Sequence, residues 1–437
     1  MTTPGLTRRS LLKMAGGLAL SAGAMRAGIP TRTEDEAFLD DLSKKSFRYF
    51  ADWTDSRTGV TADHARCDGS QYETNRRDVG SIAATGFGLT AFCIGAERGW
   101  MTRDDARARV RNTLRFFANE APQEHGWFYH WMNVKDGRRC GACGDSGNKS
   151  ELSSIDTALL MAGVLTARGY FEDDAEIGAL ATRLYRSMDF GWMLNGDAML
   201  LSHGWTPERG FLPWRWDQYN ELTILNLMGI GSPTHPMKPE SWYAWGRPEN
   251  VYEGYKYIGF TPLFTYQYSH AFVDYRGRRE RFGTKVDWFE NSVTATRANR
   301  QFCMDLSKEF PGYSGDVWGI TCSDSATGYR SWGGPPRVKG LIEGTVVPCA
   351  AGGSLMLAPE ICLPALQAMR GRYGEKIFGR YGFADAFQPG TGWVSPDVLG
   401  IDVGITLVSA ENLRSGNVWK WFMRNPEMGR ALELAGM

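Results

Sequence analysis

The sequence lacks an excess of charge of either sign, since 49 Lys and Arg residues balance 49 Asp and Glu residues among 437. This balance argues against nucleic acid as a partner, because nucleic-acid-binding domains present a strongly basic face. Outside the N-terminal 24 residues, the sequence has no apolar stretch of the roughly 20 residues that a membrane-spanning helix needs. We therefore expect neither nucleic-acid binding nor stable membrane insertion.

Motifs for cofactors and for nucleophilic catalysis are also missing. The chain has no strand-anchored GxGxxG pattern, no GxxxxGK followed by Ser or Thr, no HExxH pattern and no GxSxG pattern. Its six histidines lack the spacing of a metal site. The sequence thus carries no recognisable motif for a cofactor or a metal ion.

Eight cysteines are present, and Cys140 and Cys143 form a CxxC pattern. Three interpretations are open: a local disulfide, two free thiols, or a redox or metal-binding pair. The flanks are Gly-rich, with no βαβ pattern around them and no second CxxC to complete a zinc site. The context favours the local disulfide.

The N-terminus carries a twin-arginine pattern. Residues 7–13 read Thr-Arg-Arg-Ser-Leu-Leu-Lys, and an uncharged run rich in Gly and Ala follows and ends at Ala24. This pattern predicts a signal peptide at residues 1–24, contact with the twin-arginine export machinery, and a periplasmic or secreted protein. A chance Arg-Arg pair in an ordinary N-terminus is the alternative. Residues 25–40 are then an N-terminal extension.

Aromatic residues and glycines are abundant, with 16 Trp, 17 Tyr, 22 Phe and 52 Gly. Planar apolar rings with polar edges, presented on Gly-rich loops, are typical of sites that stack sugar rings. An aromatic-rich core is the alternative explanation of the same composition.

Hydrophobic periodicity near 3.6 residues predicts about a dozen helices. The predicted segments are 34–53, 81–97, 103–119, 153–167, 174–189, 217–228, 239–245, 287–306, 355–373, 402–413 and 416–423. Long connectors rich in Gly, Pro, Trp and Tyr separate many of them, at 204–216, 254–270, 312–336 and 379–400. Sequential helix pairs with long loops predict an all-α toroid, in which the loops at one end build a funnel-shaped site.

Three acidic residues stand at predicted helix starts beside these loops: Asp156, Glu221 and Asp402. Carboxylates can donate and accept protons as a pair, so they are the leading catalytic candidates. Each also has a structural explanation. Asp156 can complete a capping box with Ser153, and Asp402 can cap the helix that follows it. Glu151, five residues before Asp156, adds a second carboxylate nearby.

Glu221 lies in an aromatic segment. Asp217 and Glu221 are four residues apart, so in a helix they share one face, and Asp217 is the better N-cap candidate. Trp214, Trp216 and Tyr219 would desolvate Glu221 and raise its pKa, as a general acid requires at neutral pH. A first-turn acid favoured by the helix dipole is the alternative.

Nine short motifs follow one another along the chain. They are FRYF at 47–50, SIAATGFG at 81–88, HGWFYH at 125–130, ELSSIDT at 151–157, GSPTHP at 231–236, LFT at 263–265, QYSH at 267–270, WGGPP at 332–336 and RYGF at 380–383. Together they resemble the glucoamylase-like family, which contains the bacterial endo-β-1,2-glucanases and the related domain of cyclic β-1,2-glucan synthases. The resemblance covers residues 41–437 as one catalytic domain.

The resemblance implies an (α/α)6 barrel and glycoside hydrolysis without a metal or organic cofactor. It also implies that Glu221 is the general acid, that Asp402 is the base, and that Asp156 contributes to the site. Two features depart from the family pattern. Val403 stands where a Gln is expected after the C-terminal Asp, and the segment 140–149 is unusual.

We therefore expect Glu221 to protonate the glycosidic oxygen while Asp402 activates water, with inversion at the anomeric carbon. The expected substrate is an oligo- or polysaccharide, foremost a β-1,2-glucan, and the expected protein is a monomer. A glucosyltransferase, an exo-acting hydrolase and a non-catalytic glycan-binding protein are the alternatives. The candidate sugar-contacting residues, each of which also has a packing explanation, are Glu151, Trp214, Trp216, Asp217, Tyr268, His270, Trp332 and Trp393.

Overall fold

The computed structural model describes residues 33–73, 78–142, 149–336 and 342–437. The predicted signal peptide and Cys143 of the predicted disulfide lie outside the described residues. Fourteen α-helices occur in the described part of the chain. They are α1 (Glu34–Trp53), α2 (Ile82–Glu97), α3 (Arg103–Asn119), α4 (Ser154–Tyr170), α5 (Ala175–Ser187), α6 (Phe190–Met193), α7 (Thr223–Gly231), α8 (Tyr268–Phe272), α9 (Trp288–Asp305), α10 (Pro348–Gly352), α11 (Pro359–Tyr373), α12 (Gly400–Ser415), α13 (Asn417–Met423) and α14 (Pro426–Leu434).

Six helices form an inner layer because they are buried on nearly every side: α2, α4, α7, α8, α10 and α12. Small residues allow their close approach. A Cβ atom on Gly86 of α2 would lie 2.2 Å from the carbonyl oxygen of Leu159 on α4, and one on Gly163 would lie 2.1 Å from the carbonyl oxygen of Gly86. These two positions therefore require glycine if α2 and α4 are to pack this closely.

The inner helices close into a ring. Helix α4 packs against α2 and α7, and α12 packs against α2 and α10. Two hydrogen bonds complete the circuit through α8: Ser269 Oγ accepts from the backbone N–H of Ile224, at 3.1 Å, and Gln267 Nε2 donates to the carbonyl of Ala350, at 2.9 Å. The sequence of contacts confirms the predicted all-α (α/α)6 barrel.

Amphipathic helices surround the ring. Helix α3 buries Ala106, Val110, Leu114 and Phe117 at helical spacing, while its other face is rich in arginine. Helices α1, α5, α9 and α11 form the rest of this outer layer, and α14 covers α7. Helix α1 begins at Glu34, inside the segment that the sequence predicts to be an extension. Among the described residues, no helix combines the length and the apolarity needed to cross a bilayer.

Short antiparallel strands hold the loops at one end of the barrel. They are β1 (Thr61–Ala62), β2 (His64–Arg66), β3 (Val79–Ser81), β4 (Gln123–Glu124), β5 (Trp127–Phe128), β6 (Trp131–Asn133), β7 (Leu152–Ser153), β8 (Gly204–Thr206), β9 (Gly210–Phe211), β10 (Glu249–Tyr252), β11 (Tyr255–Ile258), β12 (Phe378–Gly379), β13 (Gly382–Phe383), β14 (Phe387–Gln388), β15 (Trp393–Val394) and β16 (Asp397–Leu399). Strands β3, β7 and β16 run directly into α2, α4 and α12. Strand pairing therefore fixes the N-terminal ends of three inner helices.

The predicted helix at 217–228 is wrong at its start. Helix α7 begins at Thr223, because the preceding residues hydrogen-bond to neighbouring loops. The backbone N–H of Trp216 donates to the carbonyl of Leu201, and that of Tyr219 donates to the carbonyl of Gly246, both at 2.9 Å. Asp217 is consequently exposed in an irregular segment, where it neither caps α7 nor shares a helix face with Glu221.

The predicted helix at 355–373 is also wrong at its start, because residues 355–357 form a turn. Helix α11 begins only at Pro359, whose ring is compatible with the first helical position and disfavours helical geometry in the residue before it. The short inner helix α10 precedes it. Helices α6, α8, α10 and α14 are absent from the sequence-based prediction, because each spans only four to nine residues.

Candidate active site

The three candidate acids gather at the N-terminal ends of inner helices. Asp156 lies in the first turn of α4, Glu221 in the turn before α7, and Asp402 in the first turn of α12. Electrostatic interactions link the three acids. The charge of Asp156 raises the pKa of Glu221, and the charges of Glu221 and Asp402 both raise the pKa of the Cys322 thiol. The barrel therefore brings acids that are 65 to 246 residues apart in sequence to one site.

His130 joins two of the carboxylates. Its Nδ1 lies 3.0 Å from Glu151 Oε1, and its Nε2 lies 3.5 Å from Asp156 Oδ1. The imidazole stacks on the ring of Trp131, with ring centres 3.6 Å apart. Burial lowers the pKa of His130, but the carboxylates of Asp156 and Glu151 outweigh that effect and raise it to about 9. The imidazole is therefore a cation at neutral pH.

Asp156 interacts with the cap of α4 through its side chain. Ser153 caps α4 by accepting from the backbone N–H of Asp156 at 3.2 Å, and the Ser153 hydroxyl donates to Asp156 Oδ2. The other carboxylate oxygen faces His130. Burial raises the pKa of Asp156, although His130 and Ser153 oppose the rise. Glu151 shows the opposite balance: burial acts to raise its pKa, but the hydrogen bond from His130 leaves it lowered.

Glu221 combines partial exposure with a raised pKa. Its backbone carbonyl accepts from Ser269 Oγ at 2.9 Å, which fixes the turn before α7. Burial raises the pKa of Glu221 to about 7, the negative charge of Asp156 adds to the rise, and a backbone hydrogen bond opposes it. A large fraction of Glu221 therefore keeps its proton at neutral pH, as the desolvation argument from the sequence predicts.

The aromatic residues before Glu221 differ in exposure. Trp214 is 63% exposed. Trp216 is buried, donates from Nε1 to Ser154 Oγ at 2.8 Å and stacks on His203. Tyr219 is buried and stacks on Trp288 with ring centres 5.0 Å apart. Only Trp214 of these three presents its ring to solvent in the described structure, so the segment supplies both core packing and an exposed aromatic surface.

Asp402 is buried and does not cap its helix, because Leu399 occupies the N-cap position of α12. Its neighbour is Asp385, on the segment between β13 and β14. Burial raises the pKa of Asp402, whereas hydrogen bonds from Asp385 and the Cys349 thiol favour its ionised form. Burial and the charge of Asp402 raise the pKa of Asp385 well above its usual range.

The loop between α9 and α10 contributes two residues that the sequence analysis missed, Cys322 and Tyr329, beside the candidate Trp332. Burial raises the pKa of the Cys322 thiol to about 11, and the charges of Asp402 and Glu221 add to the rise. Tyr329 is 53% exposed, yet its hydroxyl hydrogen-bonds with Cys322, and the charge of Asp402 raises the pKa of that hydroxyl. Trp332 is buried and donates from Nε1 to Ser323 Oγ at 2.8 Å. This loop therefore spans the region between the two candidate acids.

The remaining candidates lie at different depths. Tyr268 is buried on α8 and packs against Phe87 and Phe264, and the charge of Asp402 raises its pKa. His270 is buried deeper in the core, with Nε2 2.9 Å from Ser292 Oγ, and burial lowers its pKa to about 3. Trp393 is partly exposed in the β14–β15 hairpin. The structure thus groups Tyr268 with the acids and places His270 in the packing beneath them.

His130 and Asp385 were not identified as site residues from the sequence. The HGWFYH motif was the available signal for His130, but its partner carboxylates are known only after folding. Within residues 33–73, 78–142, 149–336 and 342–437, no group of three or more His, Cys, Asp or Glu side chains is arranged to hold a metal ion.

Known proteins resemble this chain over most of its length. The Glycoamylase family model matches residues 213–426. The exo β-1,2-glucooligosaccharide sophorohydrolase (non-reducing end) of Parabacteroides distasonis is 27% identical over 91% of this chain, which spans 58% of the length of that protein. The endo-β-1,2-glucanase of Chitinophaga pinensis, solved with sophorotriose and glucose, is 28% identical, with a TM-score of 0.84 over 92% of this chain and 98% of that one. The endo-β-1,2-glucanase of Talaromyces funiculosus shares the fold at 14% identity, with a TM-score of 0.64 over 92% of this chain and 90% of that one.

Proposed function

We propose that the chain is a glycoside hydrolase of the glucoamylase-like family that cleaves β-1,2-glucan. The substrate is inferred from the relatives, whose printed activities concern β-1,2-linked glucose and whose similarity extends over more than nine-tenths of this chain. The reaction is inferred from the carboxyl groups that the barrel brings together.

The observation that carries the proposal is the raised pKa of Glu221, about 7, at a partly exposed position. A carboxyl that keeps its proton near neutral pH can act as a general acid. We assign Glu221 to protonate the glycosidic oxygen as the bond to the anomeric carbon breaks. Asp402, ionised with the help of Asp385 and Cys349, accepts a proton from the water that attacks that carbon. Because water attacks directly, the proposed reaction inverts the configuration.

Asp156, Glu151 and His130 form the proposed binding side of the site. Two carboxylates and one imidazolium carry a net charge of about −1, and carboxylate oxygens accept hydrogen bonds from sugar hydroxyls. Asp156 also raises the pKa of Glu221, so the same group supports the proton of the acid. Three of the predicted sugar-contact residues are exposed or partly exposed and stay in the proposal as direct contacts: Trp214, Asp217 and Trp393. The other four are buried, and we propose that they support the site by packing: Trp216, Tyr268, His270 and Trp332.

Exo-acting hydrolysis is a second candidate function. The Parabacteroides relative is an exo-acting enzyme that works from the non-reducing end, whereas the Chitinophaga relative is an endo-acting one. The two modes differ in their first products. An exo enzyme of that kind releases one short product from the outset, and an endo enzyme produces a range of lengths before short products accumulate.

Product analysis of the purified protein tests the function. Linear and cyclic β-1,2-glucan are incubated with the wild type, with Glu221→Gln and with the control Glu240→Gln, and β-1,3-, β-1,4- and α-glucans serve as alternative substrates. Glu240 is exposed beyond the C-terminal end of α7, so the control makes the same chemical change away from the acid. We expect cleavage of β-1,2-glucan with α-anomers appearing first, loss of this activity in Glu221→Gln and retention in Glu240→Gln. Full activity in Glu221→Gln would overturn the assignment, and binding without cleavage would favour a glycan-binding protein.

Export through the twin-arginine pathway remains part of the proposal. Residues 7–13 and the apolar run that follows support it. Replacing both Arg8 and Arg9 with Lys is expected to retain the full-length protein in the cytoplasm, which cell fractionation measures. We also propose a monomer and a Cys140–Cys143 disulfide, which light scattering and thiol alkylation before and after reduction test respectively.

A further inference from the structure

Asp385 is a buried carboxyl beside Asp402 whose own protonation state is not assigned in the proposed reaction. It is 3% exposed, on the segment between β13 and β14. Its backbone N–H donates to the carbonyl of Asp397 at 3.0 Å, and its Oδ2 accepts from the backbone N–H of Asp324 at 2.6 Å. These two bonds fix both the backbone and the side chain, so the second oxygen, Oδ1, has a defined direction.

The carboxyl groups of Asp385 and Asp402 lie within hydrogen-bond reach of each other. Both also line the same small pocket beside Cys349 and Tyr381, between α1, α10 and α12. In the described part of the chain, no N–H or O–H group lies at hydrogen-bond distance from Asp385 Oδ1 or from Asp402 Oδ2, both of which are buried. A buried carboxylate oxygen without a donor is costly, and two adjacent ionised carboxylates repel each other.

One proton resolves both problems. If Asp385 is protonated, its O–H supplies the missing donor to Asp402, and the pair carries a single negative charge. We propose that Asp385 is a positioning residue that holds this proton, donates a hydrogen bond to the ionised carboxylate of Asp402 and thereby keeps the base charged and oriented. This inference rests on the proposed function, because it assigns a role to the neighbour of the proposed base.

The charged and titratable surroundings fit a pair with one negative charge. The groups that act on the pair are His64 from β2, Cys67 directly after β2, Tyr268 from α8, Cys349 from α10, and Cys322, Asp324 and Tyr329 from the loop between α9 and α10. Of these, only His64 can be cationic, and its Nδ1 lies 2.7 Å from Asp63 Oδ2. Arg66 pairs with Asp397, at 3.2 Å. A second negative charge, on Asp385, would therefore be unfavourable because little positive charge lies near the pair.

The test compares the pH dependence of kcat/KM in the wild type, Asp385→Asn and Asp385→Leu. Asn keeps an acceptor for Asp324 and a neutral donor for Asp402, whereas Leu has a similar shape without either. We expect the acidic limb, which reports the ionisation of Asp402, to stay within roughly half a pH unit in Asp385→Asn. In Asp385→Leu we expect that limb to move to higher pH by about 1 to 2 units, because the ionised base loses a hydrogen bond.

Two outcomes would overturn the inference. If Asp385 were ionised, Asn would remove a negative charge and the acidic limb would move clearly to lower pH. If Asp385 had only a packing role, the limb would be the same in all three proteins. Since Leu leaves the Asp324 N–H without its acceptor, that variant can fail to fold, and infrared spectroscopy then decides. The wild type minus Asp385→Asn difference at pH 7 must contain the carbonyl band of a protonated carboxyl, and its absence contradicts the proposal.

The same experiments separate this inference from the proposed function. Asp402→Asn is measured alongside, at the pH optimum of the wild type. If Asp402→Asn keeps full hydrolytic activity, the assignment of the base fails. If it abolishes activity while Asp385→Asn shifts the acidic limb to lower pH, the base assignment stands and only the shared proton is wrong.

Discussion

Replacing His130 with Gln tests the charge pattern of the proposed binding side. The imidazole lies 3.0 Å from Glu151 and 3.5 Å from Asp156, and its pKa rises from the ordinary value of 6.5 to about 9. A rise of about 2.5 pH units corresponds to about 3 kcal/mol at 1.36 kcal/mol per unit. Gln keeps a hydrogen-bond donor but has no charge, so this stabilisation is lost.

The pH dependence of that loss follows from the direction of the shift. In the unfolded chain the imidazole releases its proton near pH 6.5, whereas in the folded protein it does so near pH 9. The contribution to the free energy of unfolding is therefore complete below pH 6.5, declines between pH 6.5 and 9, and is absent above pH 9. We expect the free energy of unfolding of His130→Gln to be about 3 kcal/mol lower than that of the wild type at pH 6, and nearly equal to it at pH 9.5.

Urea unfolding followed by far-UV circular dichroism at several pH values measures this difference. His235→Gln is the matched control, because His235 is exposed and its nearest carboxylate oxygen, on Asp189, lies 3.6 Å away. The control is expected to change the free energy of unfolding by less than about 0.5 kcal/mol. A loss in His130→Gln that is equal at pH 6 and pH 9.5 would refute the reasoning, since it would show that the imidazole contributes packing and not charge.

Three further predictions concern single residues. Glu221→Gln is expected to reduce hydrolysis by about 10²- to 10⁴-fold. Because the raised pKa destabilises the ionised wild type only above pH 4.5, the variant should gain about 3 kcal/mol in the free energy of unfolding at pH 8 and nothing at pH 4, in urea titrations. Gly86→Ala places a methyl group against the Leu159 carbonyl and should cost about 2 kcal/mol or more in thermal unfolding; an unchanged Tm would contradict the close packing of α2 and α4. Trp214→Ala removes an exposed ring and should leave stability within about 0.5 kcal/mol; a KM for β-1,2-glucan raised about five- to tenfold would support sugar stacking, and an unchanged KM would exclude it.

Periodicity predicts the long helices well, because their burial repeats along the chain. The predicted segments 34–53 and 103–119 coincide with α1 and α3, and the capping residues Ser81 and Ser153 mark the starts of α2 and α4. Short inner helices are different. Helices α8 and α10 are five residues long and wholly buried, so they have no polar face to create a period, and only their neighbours in the ring stabilise them.

The composition of the site is only partly predictable from the sequence. Asp156, Glu221 and Asp402 stand beside helix starts, which a sequence marks with recognisable patterns. His130 and Asp385 lie on irregular segments between short strands, where no local pattern indicates which way a side chain points. Their partners are separated from them by turns whose geometry depends on the whole barrel. The sequence therefore identifies the acids and misses the residues that adjust their charge.

The magnitudes explain why position at a helix start does not decide the protonation of these acids. A helix N-terminus favours a negative charge by about 0.3 to 1 kcal/mol, which lowers a carboxyl pKa by less than one unit. For Glu221, burial and the charge of Asp156 raise the pKa from 4.5 to about 7, an opposing effect of about 3 kcal/mol. Burial raises the pKa of Asp402 as well, to about 6, because hydrogen bonds from Asp385 and Cys349 offset only part of the rise. Burial therefore outweighs the position at a helix start in both acids, and their different hydrogen-bond partners contribute to the difference between the two pKa values.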